Sequence, residues 1–277
     1  MQWKQFLTPV KRMGAEEAKA YIKTRPEGSF TLLDVRQPGE YENEHLPGAK
    51  LIPLPELPSR LGELNPGKPV ITYCTVGGRS RAAAQLLAGQ GFKQVVNIQG
   101  GIKAWNGVKA SGPVEMGTVV FRGDETPMAV IPIAYGLEEG LRGFYEVLVE
   151  RSRDAAISSL FARLAGAEAR HKDRLYRLYL LLVPGTGGQK DFEEKVIAGA
   201  MEGGLTTAEF MEQNRSALES TTDVLSMAMM IETQALDLYV RVGPKSRHER
   251  TKTVLHELAQ EEKAHLSTLG RLLETKT

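Results

Sequence analysis

Residues 160–182 read LFARLAGAEARHKDRLYRLYLLL. Leu160, Leu164, Glu168, His171, Leu175, Leu178 and Leu182 follow one another at spacings of three and four residues, which puts them on one face of a helix. A Glu-x-x-His pair among solvated residues would be ordinary. Here the pair points where the leucines point, toward the interior of a helical bundle.

The same arrangement recurs downstream in Val254, Leu258, Glu262, His265, Leu269 and Leu272. Two more glutamates lie on apolar seams: Glu138 with Ala134, Leu141, Tyr145 and Leu148, and Glu232 with Ala228, Ala235, Tyr239 and Val242. Glu138/Glu232, Tyr145/Tyr239, Glu168/Glu262 and His171/His265 are each separated by the same 94 residues. A constant offset over four pairs implies a duplicated helix pair. Four carboxylates inside one bundle repel one another and lose hydration, at a cost of several kcal/mol per ion. No Lys or Arg interrupts the seams, so bound cations are the simplest compensation; two divalent ions balance four glutamates. One Glu from each of two helices and Glu-x-x-His from each of two others is the ligand set of diiron and dimanganese carboxylate bundles. These donors suit iron or manganese; zinc fits them but has no redox role.

Turn signals break this half into helices at Pro184-Gly185-Thr186-Gly187-Gly188, Gly203-Gly204 and Gly243-Pro244. Thr206-Thr207-Ala208-Glu209 has capping-box spacing and predicts the start of a short helix. Residues 129–277, with Met201-Glu202-Gly203-Gly204 and Ile231-Glu232-x-x-Ala235-Leu236, resemble the ferritin-like domain of rubrerythrins. The resemblance implies a two-iron site held by Glu138, Glu168, His171, Glu232, Glu262 and His265. Glu168 and Glu262 would bridge the metals and Glu138 and Glu232 would bind one each, while Tyr145 and Tyr239 would either hydrogen-bond ligand carboxylates or serve as plain aromatic core. Two departures stand out. Rubrerythrins proper carry a further carboxylate where this chain has Ala235, and a rubredoxin centre whose four cysteines are absent here. Reduction of peroxide or oxygen at such a site would therefore need an external electron donor.

The first hundred residues follow a different rhythm. Strand-like runs at 31–35 (TLLDV), 70–74 (VITYC) and 95–98 (VVNI) alternate with helical stretches at 15–23 and 80–87. This alternation predicts a mostly parallel sheet covered by helices, with catalytic loops at the carboxyl ends of strands. Cys74-Thr75-Val76-Gly77-Gly78-Arg79-Ser80 sits at such a place. Converging backbone N–H groups, a helix N-terminus and Arg79 would lower the pKa of Cys74 and form an anion cradle around a nucleophile.

Asp34-Val35-Arg36-x-x-x-Glu40-Tyr41-x-x-x-His45-Leu46-Pro47-Gly48-Ala49, the Cys74 loop and Gly100-Gly101-x-x-x-Trp105 together resemble the ordered signatures of rhodanese domains. The resemblance implies that Cys74 takes a sulfane sulfur, holds it as a persulfide and passes it on. Thr75, Val76, Gly77, Gly78, Arg79 and Ser80 would bind the donor, while Asp34, Arg36, Glu40 and His45 brace the fold. Cysteine phosphatases resemble this loop too, but place five residues between cysteine and arginine. Cys74 and Arg79 are separated by four, a tighter cradle suited to one sulfur atom.

The totals frame these readings. A chain of 277 residues suits two domains: an α/β rhodanese fold over 1–108 and an all-α ferritin-like four-helix bundle over 129–277, joined by a linker over 109–128. The 35 basic residues nearly cancel the 34 acidic ones, so composition gives no case for nucleic acid or membrane partners. One cysteine permits no intramolecular disulfide, and MQWKQFLTPVKR lacks the apolar core of a signal peptide, so a cytoplasmic location is expected. The expected activity is bifunctional: sulfur transfer from thiosulfate or a persulfide to a thiol or cyanide-type acceptor, and diiron reduction of peroxide or oxygen. A rival reading is an iron-binding, storage or redox-sensing protein whose rhodanese domain is a persulfide sensor or docking module. Pairing of ferritin-like bundles through an outer face leads to an expected homodimer.

Overall fold

The computed structural model describes residues 10–112, 127–152, 154–183, 188–194, 196, 207–213 and 220–275. The chain splits into two compact units, Met1–Glu115 and Met116–Thr277. Most of the expected linker lies outside the described residues, as do residues 1–9, the break at 184–187, the motif at 201–204 and Thr206.

The first unit contains β1 (Lys11–Met13), α1 (Ala15–Lys23), β2 (Thr31–Asp34), α2 (Pro38–Asn43), β3 (Lys50–Leu51), β4 (Val70–Tyr73), α3 (Gly78–Gly89) and β5 (Val95–Ile98). Its strands form one sheet in the order β1-β5-β4-β2-β3, and every neighbouring pair is parallel. Successive strand side chains point to opposite faces, and this separates two apolar layers. Leu33, Val35, Val70 and Cys74 pack with Ala83, Ala84 and Leu87 of α3. Leu32, Ile71, Tyr73, Val96 and Ile98 pack with Ala18 of α1 and Tyr41 of α2. β4 and β5 are buried along their whole length, as expected of strands covered on both faces. The parallel register sets Asp34 beside Tyr73, so the carboxyl ends of β2 and β4 open onto the same edge. Cys74 follows directly. The strands β1 and β3 carry little sequence signal because both are short edge elements, three and two residues long.

The second unit is helical: α4 (Pro127–Arg151), α5 (Ala155–Leu182), α6 (Gln189–Glu193), α7 (Thr207–Gln213), α8 (Thr221–Val242) and α9 (Glu249–Glu274). α4 packs along α5, α8 along α9, and α5 against α9, which makes the two similar helix pairs face each other. Asp154 caps α5 by accepting hydrogen bonds from the N–H groups of Ala156 and Ile157, and Ser220 caps α8 by accepting from Asp223. Leu160, Leu164, Glu168, His171, Leu175 and Leu178 form the buried face of α5. In α9 the buried face is Thr251, Leu255, Leu258, Ala259, Glu262, Leu266 and Leu269. Val254 and Leu272 of the expected stripe are half-buried. An apolar face about 100° wide admits two neighbouring registers, and here packing selects Leu255 and Leu266. Among the described residues no helix is long and apolar enough to cross a membrane.

Candidate active sites: a thiol cradle and a metal centre

Cys74 lies just beyond β4 and is 1% exposed. The chain then curls back through Gly77, whose φ of 100° lies in the left-handed region that favours glycine, and enters α3. This brings the Gly77 N–H within 3.1 Å of Sγ and the Ser80 hydroxyl within 3.5 Å. Burial pushes the thiol pKa up. Hydrogen bonds from the Ser80 hydroxyl and from the N–H groups of Ser80, Gly77 and Val76 outweigh it, so the net shift is downward. The floor of the loop is pinned from below: Ile102 and Lys103 donate backbone hydrogen bonds to the carbonyls of Cys74 and Thr75. That approach requires Gly101, where an added Cβ would lie 2.1 Å from the Cys74 carbonyl oxygen.

Arg79 is held beside the loop by a carboxylate of α2. Its guanidinium is engaged by Glu40, with Nη1 2.6 Å from Oε2 and Nη2 2.7 Å from Oε1, and it also donates to Thr75 Oγ1 at 2.9 Å. Thr75 in turn donates to Glu40 at 2.6 Å. Hydrogen bonding from Arg79 outweighs burial and holds the Glu40 carboxyl down at about 2. Glu40 thus ties α2 to the loop and partly neutralises its cation. Asp34 and Arg36 form a buried pair that reaches the Glu44 carbonyl, which is bracing. His45 stacks on Tyr41 with its Nδ1 2.9 Å from the Tyr41 carbonyl.

In the helical unit, Glu138 comes from α4, Glu168 and His171 from α5, Glu232 from α8, and Glu262 and His265 from α9. The four glutamates and His171 are fully buried. The six residues form two overlapping groups: Glu138, Glu168, His171 and Glu262, and then Glu168, Glu232, Glu262 and His265. In each group one donor atom per residue lies within 4.8 Å of the others. Glu168 and Glu262 are common to both. His265 Nδ1 meets Glu262 at 3.2 Å, Glu232 at 3.3 Å and Glu168 at 3.4 Å, more oxygens than one N–H can satisfy. His171 Nδ1 is 2.8 Å from Glu168, yet both Glu168 oxygens and Glu262 Oε1 lack a partner with hydrogen-bond geometry. Buried carboxylate oxygens without donors are rare in folded proteins. Burial, with repulsion among the glutamates, pushes the Glu168 and Glu262 carboxyls well above the usual range. A pair of divalent cations would relieve all of these defects at once.

Two tyrosines close the cage crosswise. Tyr145 of α4 donates to Glu232 of α8, and Tyr239 of α8 donates to Glu138 of α4. Burial and the neighbouring carboxylate hold both phenols well above their ordinary pKa, so each keeps its proton. One contact escaped the sequence reading: Glu261 Oε2 lies 2.7 Å from His171 Nε2.

Comparison with known proteins reaches both units. A rubrerythrin family model matches residues 129–273, more than half of the chain. The chain belongs to the rubrerythrin family. A rhodanese-like domain model matches residues 15–107, so a rubrerythrin domain is fused to a rhodanese-like one, as the two resemblances imply. The chain is 33% identical over 99 residues to thiosulfate sulfurtransferase GlpE of Pseudomonas syringae, covering 36% of this chain and 90% of that protein. It is 45% identical over 76 residues to the uncharacterized protein YqhL of Bacillus subtilis, covering 27% of this chain. The chain spans 60% of that Bacillus relative. A rhodanese-like domain protein from Staphylococcus aureus, solved by crystallography, is similar at 30% identity with a TM-score of 0.32, covering 35% of this chain and 92% of that one.

Proposed function

We propose that this rubrerythrin-family chain transfers sulfane sulfur through Cys74 and reduces peroxide or oxygen at a two-iron centre. The observation that carries the second activity is the double group of six donors sharing Glu168 and Glu262, with three carboxylate oxygens unsatisfied. Glu168 and Glu262, common to both groups, would contribute to holding both metals; Glu138 with His171, and Glu232 with His265, would complete one group each. Tyr145 and Tyr239 orient the two terminal carboxylates by donating to them. Two irons held this way would supply redox equivalents and Lewis acidity. The chain has one cysteine and no rubredoxin quartet, so an external donor must return the electrons.

In the first unit, the Cys74 thiolate attacks the outer sulfur of a persulfide or thiosulfate. A new S–S bond forms at Sγ, and the donor leaves as a thiolate or sulfite. An acceptor thiolate then attacks the terminal sulfur, leaves as a persulfide and restores the Cys74 thiolate. The N–H groups that lower the Cys74 pKa would stabilise both anions. The domains that carry these roles are 1–108 and 129–277, joined by 109–128; a cytoplasmic homodimer is the form we propose.

Metal content and the optical spectrum of protein purified without added metal test the iron reading, beside Glu232→Ala. About two irons per chain with oxo-bridged diferric absorption, reduced in the variant, support it. Zinc alone, or no iron after anaerobic reconstitution, would sink it. For the sulfur reading, incubation with thiosulfate or a low-molecular-weight persulfide should add one sulfur to the parent by intact mass. No added sulfur, or equal addition to Cys74→Ser, would refute it.

A further inference from the structure

The duplicated halves of the metal centre are not equivalent, and the difference lies outside the six donors. His171 is fully buried, with Nδ1 facing Glu138 at 3.0 Å and Glu168 at 2.8 Å. Its opposite edge meets Glu261, Nε2 to Oε2 at 2.7 Å. An ionised carboxylate only accepts, so Nε2 must carry the hydrogen. In the neutral ring this leaves the Nδ1 lone pair directed into the cage, the tautomer a metal ligand requires. Glu261 is itself held in place: Arg174 Nη1 lies 2.7 Å from its Oε1, and the same nitrogen is 3.5 Å from Glu257.

The other half lacks this support. The 94-residue offset places Ala167 where Glu261 would stand and Thr268 where Arg174 would stand. Thr268 donates to the Ala264 carbonyl of its own helix. Among the described residues, the carboxylates within ion-pair distance of His265 all meet its Nδ1, and none meets Nε2. The His265 side chain is also 12% exposed, against 0% for His171.

We propose that Glu261, fixed by Arg174, is a positioning residue that makes the two metal positions unequal. It locks the His171 ring and strengthens its donor nitrogen, so the metal at Glu138, Glu168, His171 and Glu262 is held more tightly. The metal beside His265 is the weaker and more exchangeable one. This inference rests on the two-metal reading.

The test is anaerobic titration of metal-free full-length protein with Co(II), in competition with a chromophoric chelator and read by cobalt absorption. The parent should fill in two resolved steps. Glu261→Ala should weaken the tighter step by about tenfold to a hundredfold and leave the weaker step unchanged. Glu261→Gln, which keeps an acceptor but loses the charge, should fall between, and it also serves if the alanine variant folds poorly. In a His265→Ala background, Glu261→Ala should weaken the remaining metal; in His171→Ala it should do nothing. Two equal steps in the parent, an equal loss at both steps, or no change in either Glu261 variant would overturn the inference while leaving a two-metal centre standing. A parent that binds no divalent metal would overturn the centre itself.

Discussion

At the scale of single residues, the Cys74 environment makes a signed prediction about pH. The folded thiol titrates below an ordinary cysteine, about 8.5. Alkylation by iodoacetamide should therefore reach half-maximal rate below that value, and Ser80→Ala should move the midpoint back up. A midpoint at or above the ordinary value would contradict the cradle. Because the anion is favoured in the fold, the resulting stability is present above the ordinary thiol pKa and lost as pH falls through the lowered one. Glu40 does not complicate this profile. Its carboxyl is held down at about 2, so its pair with Arg79 contributes above the ordinary glutamate range and is lost only in strong acid. That side chain is 35% exposed, and solvent screening keeps the contribution small.

At the scale of elements, two substitutions separate the units. Gly101→Ala would drive a methyl group into the Cys74 carbonyl at a φ of 59°, so the loop or the turn beneath it must move. We expect a loss of about 1–3 kcal/mol and at least a severalfold fall in sulfur loading by intact mass. Asp154→Ala removes the cap of α5 and should cost about 1 kcal/mol, or ~2–4 °C in the melting of the helical unit, with sulfur loading unchanged. Calorimetry with a persulfide-loading assay on both variants checks the separation. These elements also show what the sequence could reveal. Glu168, His171, Glu262 and His265 were legible because they interrupt leucine stripes at a constant offset. Glu261 was not, because it sits half-buried at the margin of the α9 stripe beside Glu262 and gains its role only when α5 brings His171 across. Glu40 was legible as part of a motif, but its grip on Arg79 depends on how α2 meets the loop. The short edge strands β1 and β3 take their conformation from pairing with β5 and β2 rather than from local preference.

At the scale of the whole molecule, metal should act on one unit alone. Ligands that bind only the folded state stabilise it by mass action, about 4 kcal/mol at a thousandfold excess over Kd. Chelation should lower the melting of the helical unit and leave that of the sheet-containing unit in place. A scan in which both transitions shift equally would contradict that assignment. The crosswise tyrosines add a point about origins. Tyr145 serves Glu232 and Tyr239 serves Glu138, and each donor group borrows one carboxylate from the other helix pair. A solitary hairpin thus supplies three of the four donors of its own group and lacks both the fourth carboxylate and the tyrosine that serves its glutamate. Before duplication joined them, two copies of one short ancestral hairpin would have had to meet face to face to do what this single chain now does alone.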